Sequence, residues 1–282
     1  MNAVHINWTK PFFVRNAGEY YIEDFEILTT ILSALKWREK NGSIKMVTDS
    51  VGKEFYIKNG MDKLWDGGIE TVLDDIHEDA YMFWAAGKLH ALSCEIAPVA
   101  VIDTDFIVWD EILFDRLPAL SVIHDEDLYP DVYPDAGSFK MKEGYRLNPD
   151  WNWNIKALNT AFYIIKDDVL LKEYTKSAVE FMDNALDCDD PLTYMVFAEQ
   201  RLLHMEAQRL GKEVKCLSTL EKLFKDGDGW FTHIWGMKQQ MRDNNELRHE
   251  FCRRCINRII KEYPGYEEML HGIAVLKPYF GG

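Results

Sequence analysis

Short apolar runs alternate with stretches in which apolar residues recur every three or four positions, and this predicts strands and helices in alternation from Val4 to Trp109. Val4 to Trp8 reads as a strand. Phe25, Leu28, Ile31, Leu32 and Leu35 then share one face of a helix that Asn41-Gly42 ends. Ile44 to Thr48 is a second strand closed by Asp49-Ser50, and a short helix from about Lys53 runs to the Asn59-Gly60 break. A further helix is expected from Asp79 to about Cys94, with Met82, Ala86, Leu89 and Leu92 on one face, and Pro98 to Ile102 follows as a buried strand. This order indicates an α/β fold with a mostly parallel central sheet flanked by helices. Ligands of such sheets bind beyond the strand carboxyl ends, where Asp103 stands.

The periodicity fades after Trp109. Residues 115–156 are rich in Asp, Pro, Tyr and Trp, as in Tyr129-Pro130-Asp131-Val132-Tyr133-Pro134 and Trp151-Asn152-Trp153-Asn154, and read as functional loops. Ala161 to Ile165 is a strand, and Asp167-Asp168 caps a helix with Leu170, Tyr174, Ala178 and Phe181 on one face. Another helix starts near Pro191. The turn Asp226-Gly227-Asp228-Gly229 leads into Trp230 to Lys238, and a basic helix spans about 246–261. No internal repeat is visible.

Charge narrows the choice of partner. With 47 acidic and 32 basic side chains the formal net charge is −15, so the chain repels polyanions and nucleic acid is excluded as a partner. A nucleotide diphosphate is compatible with this charge only where a metal ion or local cations neutralise it. No stretch reaches the roughly 18 apolar residues that span a bilayer, and Met1 to Lys10 has no leader pattern, so a cytoplasmic protein is expected. Cys94, Cys188, Cys216, Cys252 and Cys255 are scattered and odd in number, which predicts reduced thiols. Cys252 and Cys255 form a C-x-x-C, but there is no second pair to complete a zinc site.

Asp103-Thr104-Asp105 is the candidate chemistry. Two carboxylates one residue apart at a strand end can both reach one hard cation, which prefers oxygen ligands and leaves room for water and phosphate oxygens. The apolar strand before them and Phe106-Ile107-Val108-Trp109 after them place both acids in partly buried surroundings, where unpaired charge is costly.

With these residues the sequence resembles the GT-A glycosyltransferases, particularly the retaining families that include glycogenin and bacterial lipopolysaccharide galactosyltransferases. The resemblance implies a GT-A type fold, with a Rossmann-like nucleotide-sugar-binding half at 1–110, an acceptor and catalytic half at 111–240 and a helical extension at 241–282. It further implies that Asp103, Thr104 and Asp105 hold Mn2+ or Mg2+ against the donor diphosphate. Lys88 is similar to a basic residue near the donor in those families. His233-Ile234-Trp235-Gly236-Met237-Lys238 resembles H-x-x-G-x-x-K with one residue fewer between Gly and Lys, which implies His233 as a third metal ligand and Gly236 and Lys238 near phosphate. Leu158-Asn159-Thr160-Ala161-Phe162 is similar to the family's F-N-S-G-V segment by the sugar pocket, with Ala161 in place of glycine. Phe197-Ala198-Glu199-Gln200-Arg201-Leu202-Leu203 is similar to its D-Q-D-x-L-N helix, with Arg201 in place of the second acid. Glu199 and Gln200 are thereby the candidate catalytic residues, and Asp49, at the end of the second strand, joins the donor-binding set.

The expected activity is transfer of a hexose, UDP-linked by resemblance, to a saccharide or glycolipid acceptor. Retention is expected because nothing singles out a base among Asp125, Glu126 and Asp127. Two other readings remain open. Val101-Ile102-Asp103-Thr104-Asp105 also resembles the nucleophile strand of haloacid dehalogenase-type phosphatases. A non-catalytic sugar-binding or membrane-associated protein is the other, since Leu247, Phe251, Ile256 and Ile259 lie opposite Arg248, Arg253, Arg254 and Arg258, a pattern suited to peripheral membrane contact.

Overall fold

The computed structural model describes residues 1–187, 190–225 and 228–280. Cys188 and the Asp226-Gly227 part of the expected turn lie outside the described residues. The central sheet contains β1 (Asn2–Asn7), β2 (Ile44–Thr48), β3 (Ile69–Glu70), β4 (Val99–Ile102), β6 (Leu120–Val122), β9 (Phe162–Ile165) and β10 (Val214–Cys216), in the order β10-β6-β9-β4-β1-β2-β3. Two short ribbons accompany it, β5 (Phe106–Val108) with β11 (Phe231–His233) and β7 (Asp125–Glu126) with β8 (Ala157–Leu158). Within the sheet β9 alone runs antiparallel, against both β4 and β6, and the other neighbours are parallel. This is the mostly parallel α/β arrangement that the alternation predicts.

Side chains divide between the faces with the strand period of two. Ala3, Met46, Ala100, Ile102, Phe162 and Ile164 face one core, and Val4, Val47, Val99, Val101, Tyr163 and Ile165 face the other. The first core is roofed by the helix Asp24–Lys40, which is buried from Asp24 to Trp37 except at Glu26 instead of along one stripe. The reason is the helix Asn245–Glu262, whose Phe251, Cys252, Cys255, Ile256 and Ile259 pack on that roof. Arg248 to Asp24 (2.8 Å) and Lys36 to Glu262 (2.8 Å) fasten the two helices. The apolar face of the basic helix is thus covered by protein, and the membrane contact expected of it loses the surface it needs. Among the described residues no helix is long and apolar enough to cross a membrane. Cys252 and Cys255 are buried on this helix, where burial pushes their thiols up to about 12, so they pack as free apolar groups.

Several expectations are corrected. The Asp79–Cys94 helix shrinks to Ala86–Ser93, because Asp79 folds its own backbone into a turn: its Oδ1 accepts from Tyr81 N (2.7 Å) and Met82 N (3.0 Å). Met82, Ala86, Leu89 and Leu92 are nevertheless all buried, as the spacing requires. The stretch read as loops, 115–156, contains β6, a strand of the central sheet, and β10 was not anticipated. Of its aromatics, Tyr133 and Trp151 are buried and Trp153 stacks on Phe197, leaving Tyr129 exposed.

Candidate metal and donor site

β4 delivers Asp103 to the carboxyl edge of the sheet, where its backbone N–H donates to Ala161 O (2.8 Å), and the chain turns at once into β5. The antiparallel pairing of β11 with β5 puts His233 opposite Phe106. His233 therefore arrives beside Asp105 from 128 positions later in the chain, as its number less that of Asp105 gives. Phe106 is fully buried between Phe162 and Phe231, stacked at 5.4 and 4.8 Å, and this packing fixes the strand that joins the acids to the histidine. One ligand atom each of Asp103, Asp105 and His233 lies within 4.8 Å of the others. Thr104 is half-buried between the two acids.

Two lysines close the cluster. Lys88, from the helix Ala86–Ser93, donates to Glu199 Oε1 (2.6 Å) and Thr160 O (3.1 Å) and pairs with Asp103 Oδ1 (2.8 Å), which uses all three ammonium protons. Lys238 pairs with Asp105 Oδ2 (3.0 Å) and Glu26 Oε1 (2.9 Å), so it reaches the acids despite the shortened spacing after Gly236. Glu199 sits on a wide π-helical turn, Phe197–Arg201, and also accepts from Thr160 Oγ1 (2.9 Å). It is buried, in contrast to an ordinary helix-surface acid.

The surroundings separate the two aspartates. Burial raises Asp103 to about 6, with Lys88 opposing and Asp105 and Glu199 reinforcing the shift. Burial would raise Asp105 as well, but Lys238 and His233 outweigh it and hold that carboxyl below its ordinary value. Burial lowers His233 against the pull of Asp105, which favours the neutral imidazole that can donate a lone pair to a metal. Burial alone would lower both lysines; the carboxylates beside them raise them instead. Asp103, Asp105, Glu199 and Glu26 against Lys88 and Lys238 leave two excess negative charges at neutral pH. Two carboxylates, a neutral imidazole and that charge could hold one divalent cation.

The remaining candidates fall outside the cluster. Asp49 Oδ2 accepts from Thr9 N and Thr9 Oγ1 (2.8 Å each) and Oδ1 from Gly52 N (2.9 Å), so it caps the helix Ser50–Lys58. Asn159 Oδ1 accepts from Ala161 N (3.1 Å) and its amide donates to Glu126 Oε1 (3.1 Å), holding the turn before β9. Gln200 accepts from Tyr133 OH (2.6 Å). Gly236 is exposed, and a Cβ there would meet nothing within 4 Å, so no packing demands glycine. Arg201 is buried and donates to Tyr133 O (3.3 Å) and Pro134 O (2.6 Å) and to Trp153 O, a role in fastening the loops.

Sequence reasoning passed over Glu26, Thr160 and His124. Register aligns Val101, Tyr163 and Val122 across β4, β9 and β6, so Asp103 and His124, two residues on, lie at the same sheet edge with β9 between them. His124 opens onto a cavity of about 160 Å³ shared with Asp125, Asp127, Lys156, Cys216 and Thr219.

An α/β protein with a metal-competent acid–histidine cluster at the carboxyl edge of its sheet is the class these features define. Residues 1–272 match the family of unknown function DUF6734, and the chain belongs to that family. No curated protein matches its sequence. Among solved structures it is similar to one titled PaToxG glycosyltransferase, at 14% identity and a TM-score of 0.43 over 74% of this chain and 69% of that one. Mouse xyloside xylosyltransferase 1 in its apo form gives 12% identity and 0.37 over 82% and 92%, and an active-site mutant of LgtC gives 14% and 0.38 over 77% and 72%. Likeness at these scores does not by itself establish a shared activity.

Proposed function

We propose that the protein is a metal-dependent glycosyltransferase that transfers a hexose from a nucleotide diphosphate sugar, UDP-linked, to a saccharide or glycolipid acceptor. The observation that carries this reading is the convergence of Asp103, Asp105 and His233 with Lys88 and Lys238 at one sheet edge, a set that offers both metal ligands and cations for phosphate. Asp103, Asp105 and His233 would hold the ion, and such an ion would supply positive charge at the departing diphosphate. Lys238 and Lys88, which pair with the same carboxylates, would offer cations to phosphate oxygens. Glu199, fixed by Lys88 and Thr160, presents negative charge beside the sugar position, where positive character develops at the reacting carbon. Gln200 stands next to it and is oriented by Tyr133. The cavity under His124 and Lys156 is the acceptor side of the same edge.

Retention follows from this reading, since the leaving phosphate can take the acceptor's proton on the face it vacates. The phosphatase reading is less well supported, because His233 and Lys238 close the ligand set from a distant segment and the nucleophile of that chemistry does not call for them. Release of UDP from UDP-hexoses in the presence of Mn2+, followed with the wild-type chain, tests the activity. Turnover of a generic phosphomonoester with no UDP release would favour the phosphatase. Proton NMR of the first product from an α-linked donor tests the stereochemistry, and a β-linked product would rule out retention.

A further inference from the structure

A second group of potential ligands lies on the other end of the Lys88 helix. His77 and Glu78 belong to the loop between β3 and the helix Ala86–Ser93, and Asp183 is in the last turn of the helix Asp168–Asn184. One ligand atom of each lies within 4.8 Å of the others. His77 Nε2 and Asp183 Oδ1 are 3.2 Å apart. The two atoms share a hydrogen bond, and their spacing is also close to the separation of about 3.3 Å between neighbouring ligands of tetrahedral zinc bound at about 2.0 Å.

Glu78 is the telling member. Its side chain is only 2% exposed, with Oε1 paired to His90 Nε2. Among the described residues Oε2 is buried and accepts no hydrogen bond from another residue, the carboxylate's remaining donor being Glu78's own backbone N–H. Burying a carboxylate oxygen without a donor is expensive, and a bound cation removes that cost. We propose that His77, Glu78 and Asp183 form a second metal site, independent of Asp103 and Asp105, that takes zinc. An imidazole with two carboxylates and no thiolate suits zinc better than copper(I). The fourth position belongs to water.

Such an ion fastens an irregular loop to a long helix. Because His90 follows Lys88 by two residues on the same short helix and already contacts Glu78, the ion also steadies the element that presents Lys88.

The test compares zinc uptake by the wild-type chain with that of His77→Ala and Asp183→Asn, by calorimetric titration and thermal melting. Both side chains are well exposed, so these variants fold, which circular dichroism verifies. The wild type is expected to bind about one equivalent more than either variant, or to bind it at least about tenfold more tightly. Zinc should raise its melting temperature, and the rise should shrink in both variants. Equal zinc binding and equal melting shifts in all three proteins overturn the proposal. Glu78→Gln, which keeps the side-chain volume, should behave like the other two variants. The outcome does not depend on whether the Asp103 cluster binds manganese or UDP.

Discussion

The sheet-edge cluster and the helix Asn245–Glu262 are both crowded with charge, yet they use it in opposite ways. At the sheet edge Lys88 touches Asp103 and Glu199, the side chains of Lys88 and Glu199 being 12% and 9% exposed. On the helix, Arg254 and Glu250 are 73% and 68% exposed and lie 3.7 Å apart. Water screens the second pair and is largely kept from the first, so equal formal charges have unequal consequences. The apolar residues show the same division of labour: on the helix they are committed to the Asp24–Lys40 roof, while around Asp105 they wall a site. Charge that is buried in compensating pairs marks where a ligand ion can enter; charge in water keeps a helix face solvated.

That contrast can be broken most severely at Lys88. Lys88→Ala leaves Glu199 buried without its cation and should cost about 3–5 kcal/mol in denaturant unfolding. A Lys88→Met, Glu199→Gln double variant should recover most of the loss, and if it does not, the pair is not coupled as described. A smaller effect is expected from pH. Burial holds Asp103 at about 6 against an ordinary 3.8, so the metal-free folded chain keeps this proton over a range where the unfolded chain has lost it. The stability it contributes is present below about 3.8 and is lost as pH rises through about 6. Metal binding needs the carboxylate, so Mn2+ affinity should climb about tenfold per pH unit up to about 6 and then flatten. An affinity that stayed flat from pH 5 to pH 8, roughly, would remove Asp103 from the ligand set. The smallest change belongs to the helix: Arg253→Ala with Arg254→Ala should shift stability by less than about 1 kcal/mol, and flotation with anionic vesicles should show no binding to lose.

What could be read in advance follows the same physics. The apolar run ending at Ile102 announces a buried strand, and an acid directly after it announces a sheet-edge group; both are local patterns. His233 and Lys238 were legible only through the order of motifs, since their approach depends on the β5–β11 pairing, which no local periodicity reveals. Glu26 stands in the first turn of its helix, and its contact with Lys238 exists because the two segments meet in space. β6 and β10 have three residues each, too few for an alternation to register, and Lys215 and Cys216 are exposed in an edge strand. The helix expected from Asp79 misled for a different reason. Its apolar spacing is satisfied by a turn followed by a shorter helix that buries the same side chains. An acid at a strand end can serve a ligand or cap the next helix, and the capping by Asp49 shows only in its partners.

The central claim, that Asp103, Asp105 and His233 bind a divalent ion which in turn holds a nucleotide diphosphate, is tested most directly by calorimetric titration of UDP into the wild-type chain and Asp105→Ala, each with and without Mn2+. Wild-type binding should require Mn2+ and weaken by about 100-fold or more in Asp105→Ala, a loss of about 2.7 kcal/mol or more. Binding of the same strength without Mn2+, or undiminished binding by Asp105→Ala, would contradict it.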